Sequence, residues 1–221
     1  SYSRKSQTKG EPMGQHTKPV TDASFETDVL KLNELAHILR NNRFKNGSIS
    51  FEAPETKFKL DDNGKPIGVF VKERKDAHKL IEDFMLLANK AVATYIGKER
   101  NQNGKVPFVY RVHDLPDPER LIDFQLFAQK FGHKVQLNNP KQIARELNRL
   151  MIEIEGTPEQ AVLQQLAIRC MAKAIYTTNN IGHYGLGFEY YTHFTSPIRR
   201  YPDVAVHRLL DKIIHGQKLP T

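Results

Sequence analysis

A chain of 221 residues, 39% hydrophobic and 26% charged, has ordinary globular composition and enough length for one good-sized core or two small ones. Its 33 basic and 25 acidic residues leave a net charge of +8, which favours polyanions through counterion release and equally suits a solvated basic surface. No stretch reaches the ~20 apolar residues of a membrane span, no apolar region opens the chain as a signal peptide would, and the one cysteine, Cys170, cannot form an internal disulfide, so a cytoplasmic protein without a membrane partner is expected.

Residues 1–24 are polar, rich in Lys, Gln, Thr and Gly, and lack an apolar period; a flexible lead-in or a segment cut from its context is expected. A start at Ser1 suggests a processed, trimmed or partial chain. From Phe25, the spacing of Val29, Leu32, Leu35, Ala36 and Leu39 predicts a helix that Gly47 ends. Short strands are predicted at Ile49 to Phe51, Lys57 to Leu60 and Ile67 to Val71, with Asp61-Asp62-Asn63-Gly64 as a hairpin turn between the last two. Asp76 is a candidate N-cap for a helix reaching about Gly97, with Ala77, Leu80, Ile81, Phe84, Leu87, Ala88, Ala91 and Tyr95 facing inward.

A strand at Pro107 to Val112 and a helix from about Pro118 to Gly132 follow, the latter with Leu121, Ile122, Leu126 and Phe127 inward. Another helix is predicted from Pro140. Thr157-Pro158-Glu159-Gln160 has capping-box spacing and opens a helix running to about Tyr176, in which Cys170 reads as a small core residue. A strand is predicted at Gly187 to Tyr191. The order of elements gives a mixed α+β fold, helices around a small sheet, with no internal repeat.

The most informative stretch is YYTHFTSPIRRYPD, Tyr190 to Asp203, with HRLL following at His207 to Leu210. Aromatic rings lead into Ser196-Pro197, residue types suited to the cap and first position of a helix. A helix start there would offer unpaired N–H groups and a positive dipole end. Arg199 and Arg200 add planar donor forks that fit phosphate oxygens, and rings can stack on unpaired bases. Together these residues form a place to hold a phosphate of single-stranded nucleic acid. Pro202 biases Tyr201 away from helical angles, so the helix either bends there or restarts at Asp203.

This stretch closely resembles the signature of the RNB family of processive 3′→5′ exoribonucleases, which includes bacterial ribonucleases R and II. Its two arginines followed by Tyr, Pro and Asp resemble the ribonuclease R branch. HKLIEDFMLLAN (His78 to Asn89), FVYRVHDLPDPERL (Phe108 to Leu121) and GHYGLGFEYYTHF (Gly182 to Phe194) are similar to successive blocks of that family. The resemblance spans roughly Leu30 to Leu210, and residues 1–24 do not match convincingly. It implies that residues 25–221 are the C-terminal portion of an RNB catalytic domain.

The resemblance also assigns roles. Arg199 would contact the scissile phosphate and be required for cleavage, because hydrolysis builds charge on non-bridging oxygens. Read without it, Arg199 would be a surface or core-edge arginine paired to a carboxylate such as Asp203. Arg200 would bind a neighbouring phosphate or be solvated. Tyr201 would stack on RNA or serve as a packing wedge, and His193 and Ser196 are further candidate RNA contacts.

Glu82 matches the family acid that contacts the sugar near the RNA 3′ end. On its helix it lies on the side of Asn89, where a polar pair could read ribose hydroxyls; the bland reading is an exposed helix carboxylate. His183, His193 and His207 lack zinc-site spacing, and His183 and His193, lying among rings, suit packing or substrate contact better. Gly182, Gly185 and Gly187 are not a dinucleotide fingerprint and suit a tight turn with close backbone approach.

Family exonucleases also carry an aspartate cluster, spaced roughly D-x-x-x-x-x-D-x-D-D, that holds magnesium. No such cluster is found in this sequence. Asp61 and Asp62 lie in the hairpin turn without further partners at that spacing. The expectation is a fragment that supplies the arginine and part of the RNA channel of a Mg²⁺-dependent 3′→5′ exoribonuclease acting on single-stranded RNA 3′ ends, monomeric when complete and inactive as a fragment. The alternative is a catalytically inactive single-stranded RNA-binding module.

Overall fold

The computed structural model describes residues 25–51, 55–72, 75–100, 106–139 and 142–219. Expectations for residues 1–24 and for Pro140 lie outside them. Among these residues six α-helices and two two-stranded antiparallel sheets give the expected α+β fold: α1 (Glu26–Lys45), β1 (Glu55–Leu60), β2 (Pro66–Lys72), α2 (Asp76–Thr94), β3 (Tyr110–Val112), α3 (Pro118–Lys130), α4 (Ile143–Glu153), α5 (Gln160–Cys170), β4 (Ile175–Thr177) and α6 (Tyr201–Ile214).

The β1–β2 hairpin follows its turn chemistry. Asp61 Oδ1 accepts the backbone N–H groups of Asn63 and Lys65, at 2.9 and 2.8 Å, and Gly64 takes φ +79°. Phe58 pairs with Val69 across the ladder. These two side chains, with Leu60 and Ile67, are each more than half exposed.

Two apolar cores hold the rest. In one, Leu121, Phe124 and Ala128 of α3 meet Leu147 and Leu150 of α4 and Leu163, Ala167 and Cys170 of α5. Asp117 caps α3 by accepting from the N–H groups of Glu119 and Arg120. Ile122 and Leu126, expected inward, are 55% and 56% exposed, because Phe124 and Ala128 complete the buried stripe with Leu121. Cys170 is buried as expected; its thiol donates toward Arg120 O and Leu166 O, and burial pushes it up to about 11. In the second core Ala93, Ile96, Phe108, Tyr110 and Val112 pack on Val206 and Leu209 of α6. Gly97 has no side chain because a Cβ there would lie 2.5 Å from the Tyr110 hydroxyl.

Several elements depart from the sequence pattern. Ile49 to Phe51 is not a strand; Ile49 N–H instead bonds Gly185 O at 2.9 Å. The strand predicted from Pro107 begins only at Tyr110. Helix α5 ends at Cys170, not Tyr176, because Ile175–Thr177 pairs with β3. No Thr157 capping box forms: its hydroxyl donates to Ile154 O, and Gln160 Oε1 accepts from Gly156 N–H. Gly187 to Tyr191 is not a strand beyond a single bridge at Phe188; Tyr191 O accepts from Arg111 N–H as a loop. Asp76 is the first residue of α2 rather than its cap, and the preceding Lys75 N–H donates to His78 Nδ1.

On α2 the buried residues are Asp83, Leu86, Asn89 and Ala93, whereas Ile81 and Leu87 are exposed. The helix is rotated from its apolar pattern because two polar side chains find partners inside. Asp83 is bound by Arg40 at 2.8 Å and Arg43 at 3.1 Å, which fastens α1 to α2. Helix α1 ends as expected at Gly47, φ +91°, but of its apolar stripe only Ala36 is buried.

Candidate nucleic-acid interface

The YYTHFTSPIRRYPD stretch is a loop pinned at nearly every step. Tyr191 and Thr192 are buried, and Thr192 Oγ1 donates to Val109 O at 2.7 Å. Asn89 of α2 donates to the Tyr191 hydroxyl and accepts the N–H groups of Phe194 and Thr195. Phe194 stacks on His207 with centroids 4.0 Å apart, and its carbonyl lies 2.8 Å from His207 Nε2. This loop therefore has little freedom before Ser196.

The helix does not start at Ser196-Pro197. Ser196 O accepts the N–H groups of Arg199 and Arg200, closing a turn, and α6 begins at Tyr201. Pro202 decides this: it has no N–H to bond Ile198 O, so a helix running through would break, whereas near the first turn that missing donor costs nothing. Neither option left by the sequence is realised: no helix precedes Pro202 to bend or restart, and Tyr201, expected to avoid helical angles, is the first residue of α6, two before Asp203. Both arginines consequently precede the helix.

Their environments differ sharply. Asp203 is fully buried; its Oδ1 accepts from Ser196 N–H at 2.8 Å and from Arg200 Nη2 at 2.8 Å. The carboxylate pairing weighed for Arg199 belongs instead to Arg200. Arg199 is exposed on the turn, and its guanidinium has no hydrogen-bond or ion-pair partner among the described residues. Tyr201 beside it is 73% exposed. The turn thus projects one free guanidinium and one ring, with Arg200 held beneath them.

His193 is half-buried, with Nδ1 2.6 Å from the Tyr176 hydroxyl. Burial, reinforced by the charges of Arg200, Arg111 and Arg199, lowers its pKa to about 4, so the ring is neutral at pH 7. Arg111 lies 4.7 Å over the Tyr176 ring. His183 stacks on His113 and meets Tyr191 edge-on; burial takes its pKa down to about 3. His183 and His193 are therefore packed among rings, whereas His207 is exposed and stacks on Phe194. Gly182 and Gly187, at φ +79° and +64°, turn the chain before this loop, and a Cβ on Gly187 would lie 2.7 Å from Asn46 O.

Glu82 is half-buried on α2, on the wall of a cavity of about 190 Å³ shared with Arg40, Arg43, Lys79, Ser50 and Leu186. Arg199 is not on that wall. Asn89, the expected companion of Glu82, is buried under the loop and does not rim a ribose site. Sequence reasoning missed Asn89 and Asp83 as inward residues; the available signal was a polar side chain at core spacing on a helix. It also missed Tyr176 and Arg111, which only the β3–β4 pairing brings to the loop.

Among the described residues no group of three or more His, Cys, Asp or Glu side chains is placed to hold a metal ion. Asp203 Oδ1 is taken by Ser196 and Arg200, while its Oδ2 is buried without a partner among the described residues and with no second carboxylate beside it to share an ion; Asp83 is bound by Arg40 and Arg43. These side chains do not fit the magnesium site that the family implies.

The α+β domain thus carries an arginine pair divided into one half-buried guanidinium paired with Asp203 and one exposed guanidinium without a partner among the described residues, on a turn beside the Tyr201 ring. The chain belongs to the RNB family: the RNB domain matches residues 3–216. It is 39% identical over 189 residues to ribonuclease R of Aquifex aeolicus, covering 85% of this chain and 26% of that protein. To ribonuclease R of Thermotoga maritima it is 42% identical over 187 residues, covering 84% and 26%. Mycoplasma genitalium RNase R, solved in complex with ribose methylated single-stranded RNA, superposes with a TM-score of 0.76 at 29% identity over 87% of this chain and 29% of that one. Yeast Ssd1, a pseudonuclease, shares the fold at 22% identity and a TM-score of 0.64. The chain spans about a quarter of the length of the curated relatives it matches.

Proposed function

We propose that the complete protein is a 3′→5′ exoribonuclease that hydrolyses single-stranded RNA from its 3′ end to nucleoside 5′-monophosphates, and that residues 25–221 are the C-terminal portion of its catalytic domain. The observation that carries this reading is the exposed Arg199 guanidinium, without a partner among the described residues, on a turn fastened by Ser196 and Asp203, in a chain that belongs to the RNB family. Phosphodiester hydrolysis accumulates negative charge on the non-bridging oxygens, and a preplaced planar donor pair meets that charge without reorganising. Arg200, neutralised by Asp203, shapes the turn and leaves one Nη available for a neighbouring phosphate. Ser196, Tyr201 and the neutral His193 offer a hydroxyl, an exposed ring and an uncharged ring along the strand. Glu82 is the candidate acceptor for a ribose 2′-OH, the group that separates RNA from DNA.

Magnesium, whose ligands lie outside the described residues, belongs to this reading as the cofactor of the complete enzyme. A cytoplasmic monomer is part of it as well. The test is the complete protein with Mg²⁺ on 5′-labelled single-stranded RNA. Stepwise shortening from the 3′ end with release of nucleoside 5′-monophosphates is expected. Tight RNA binding with no shortening would instead establish the catalytically inactive RNA-binding module, and internal cuts would remove the exonuclease assignment.

A further inference from the structure

The strongest connection between separate elements at this site runs through a side chain that touches no candidate ligand. Asn89 is fully buried on α2. Its Oδ1 accepts from Phe194 N–H at 3.0 Å and from Thr195 N–H at 3.2 Å, and its Nδ2 donates to the Tyr191 hydroxyl at 3.1 Å. Two backbone N–H groups can only donate, so the amide orientation is fixed by its partners. One side chain thereby holds three points of a five-residue span that ends one residue before the Ser196 turn. Arg199 sits four residues beyond Thr195, on a turn that Asp203 fastens from the other side. Glu82 lies seven positions before Asn89, two turns along the same helix and near the same face.

We propose that Asn89 is the positioning residue of the phosphate-binding turn: it fixes the loop that carries Arg199 to the helix that carries Glu82, and so sets the spacing between the phosphate contact and the sugar contact. The inference rests on the reading of Arg199 given above. Its physical basis is that a buried N–H left without an acceptor is costly, so the loop cannot shift along α2 without giving up two such bonds together. Asparagine meets the requirement because it presents an acceptor with two lone pairs and a donor on one planar group. Leucine of similar size offers neither.

The test is a double-mutant cycle in the complete protein, read as single-turnover cleavage, RNA affinity and melting temperature. Arg199→Ala is expected to slow cleavage about 10²–10³-fold, the loss seen when one preorganised donor is removed. Asn89→Ala is expected to slow it about 10²-fold, the loss produced by a misplacement on the order of 1 Å, with little change in RNA affinity. In the Arg199→Ala background the same Asn89→Ala change is expected to alter cleavage less than about threefold, because the group it positions is gone.

Asn89→Asp keeps an oxygen for both amides and lets the Tyr191 hydroxyl donate. It is expected to cleave within about tenfold of the parent even where its melting temperature falls, since the acceptor geometry and not bulk stability carries the effect. Should Asn89→Ala fail to fold, Tyr191→Phe removes one of the three bonds and carries the same cycle with a smaller single loss. Losses from Asn89 and Arg199 that multiply, or cleavage that tracks melting temperature across the variants, overturn this inference alone. A complete protein that does not cleave, or an Arg199→Ala protein that cleaves at the parent rate, overturns the reading of Arg199 and the inference with it.

Discussion

Arg199 and Arg200 are adjacent in sequence and identical in chemistry, and their alanine variants are expected to fail in different ways. Arg200 Nη2 lies 2.8 Å from Oδ1 of Asp203, a carboxylate with no exposure. Removing one partner of a buried pair leaves the other charge without compensation, which costs about 3–5 kcal/mol. The Arg200 side chain retains 19% exposure and Ser196 N–H still serves the carboxylate, so the lower end, about 3 kcal/mol, applies. For a domain of this size that is a fall of about 6–12 °C in melting temperature. Arg199 is exposed and unpaired among the described residues, so Arg199→Ala should change stability by less than about 0.5 kcal/mol. Its cost should appear in cleavage, as it should for Arg199→Lys, which keeps the charge but loses the planar fork; turnover is expected to fall roughly 10²–10³-fold with RNA affinity nearly unchanged. Thermal melting monitored by circular dichroism and single-turnover cleavage, run on both variants of the complete protein, separate the two effects. Equal destabilisation by both, or parent-rate cleavage by Arg199→Lys, would refute the division of labour.

Glu82→Ala in the complete protein should weaken the preference for RNA over DNA more than it weakens overall binding, a lost hydrogen bond to a charged group costing about 1.5–3 kcal/mol; an unchanged RNA-to-DNA rate ratio removes Glu82 as the sugar reader. The 221-residue chain by itself is expected to release no mononucleotides in Mg²⁺, and sustained EDTA-sensitive release by the purified chain would contradict this. Burial lowers the His183 pKa from 6.5 to about 3, so below pH 6.5 the unfolded chain binds a proton that the folded one refuses, and stability falls as pH drops from 6.5 toward 3. His183→Phe should flatten that acid limb in denaturant titrations, leaving the smaller part of the same sign from His193; an acid limb of unchanged slope would show that His183 is not its source.

The sequence was most legible where one residue type answers one local demand. The Asp61-Asp62-Asn63-Gly64 turn, the stop at Gly47, the start of α3 near Pro118 and the close approach at Gly187 all formed as their chemistry requires. It was least legible where a polar side chain is buried by partners distant in sequence. Asp83 and Asn89 look like solvent-facing positions on α2 until Arg40, Arg43 and the 191–195 loop are placed beside them, and their burial rotates the helix so that Ile81 and Leu87 face out. The overrun of α5 has a similar cause: Ile175 to Thr177 continues a helical pattern locally but is taken by β3. At the site, the motif is where Arg199 and Arg200 lie, while the start of α6 was set by Pro202 and the different surroundings of the two arginines by which of them pairs with Asp203.

Among the described residues the β1–β2 hairpin has no further strand on either edge, and Phe58, Leu60, Ile67 and Val69 are each more than half exposed. Two strands alone are marginal in water. Its amides should therefore exchange with deuterium long before those of the α3–α5 core, through local opening rather than global unfolding. The same open edges make it the first segment through which concentrated chains would pair. Slower exchange at Phe58 and Val69 on dilution, with the α3–α5 amides unmoved, would mark the opposite order of events.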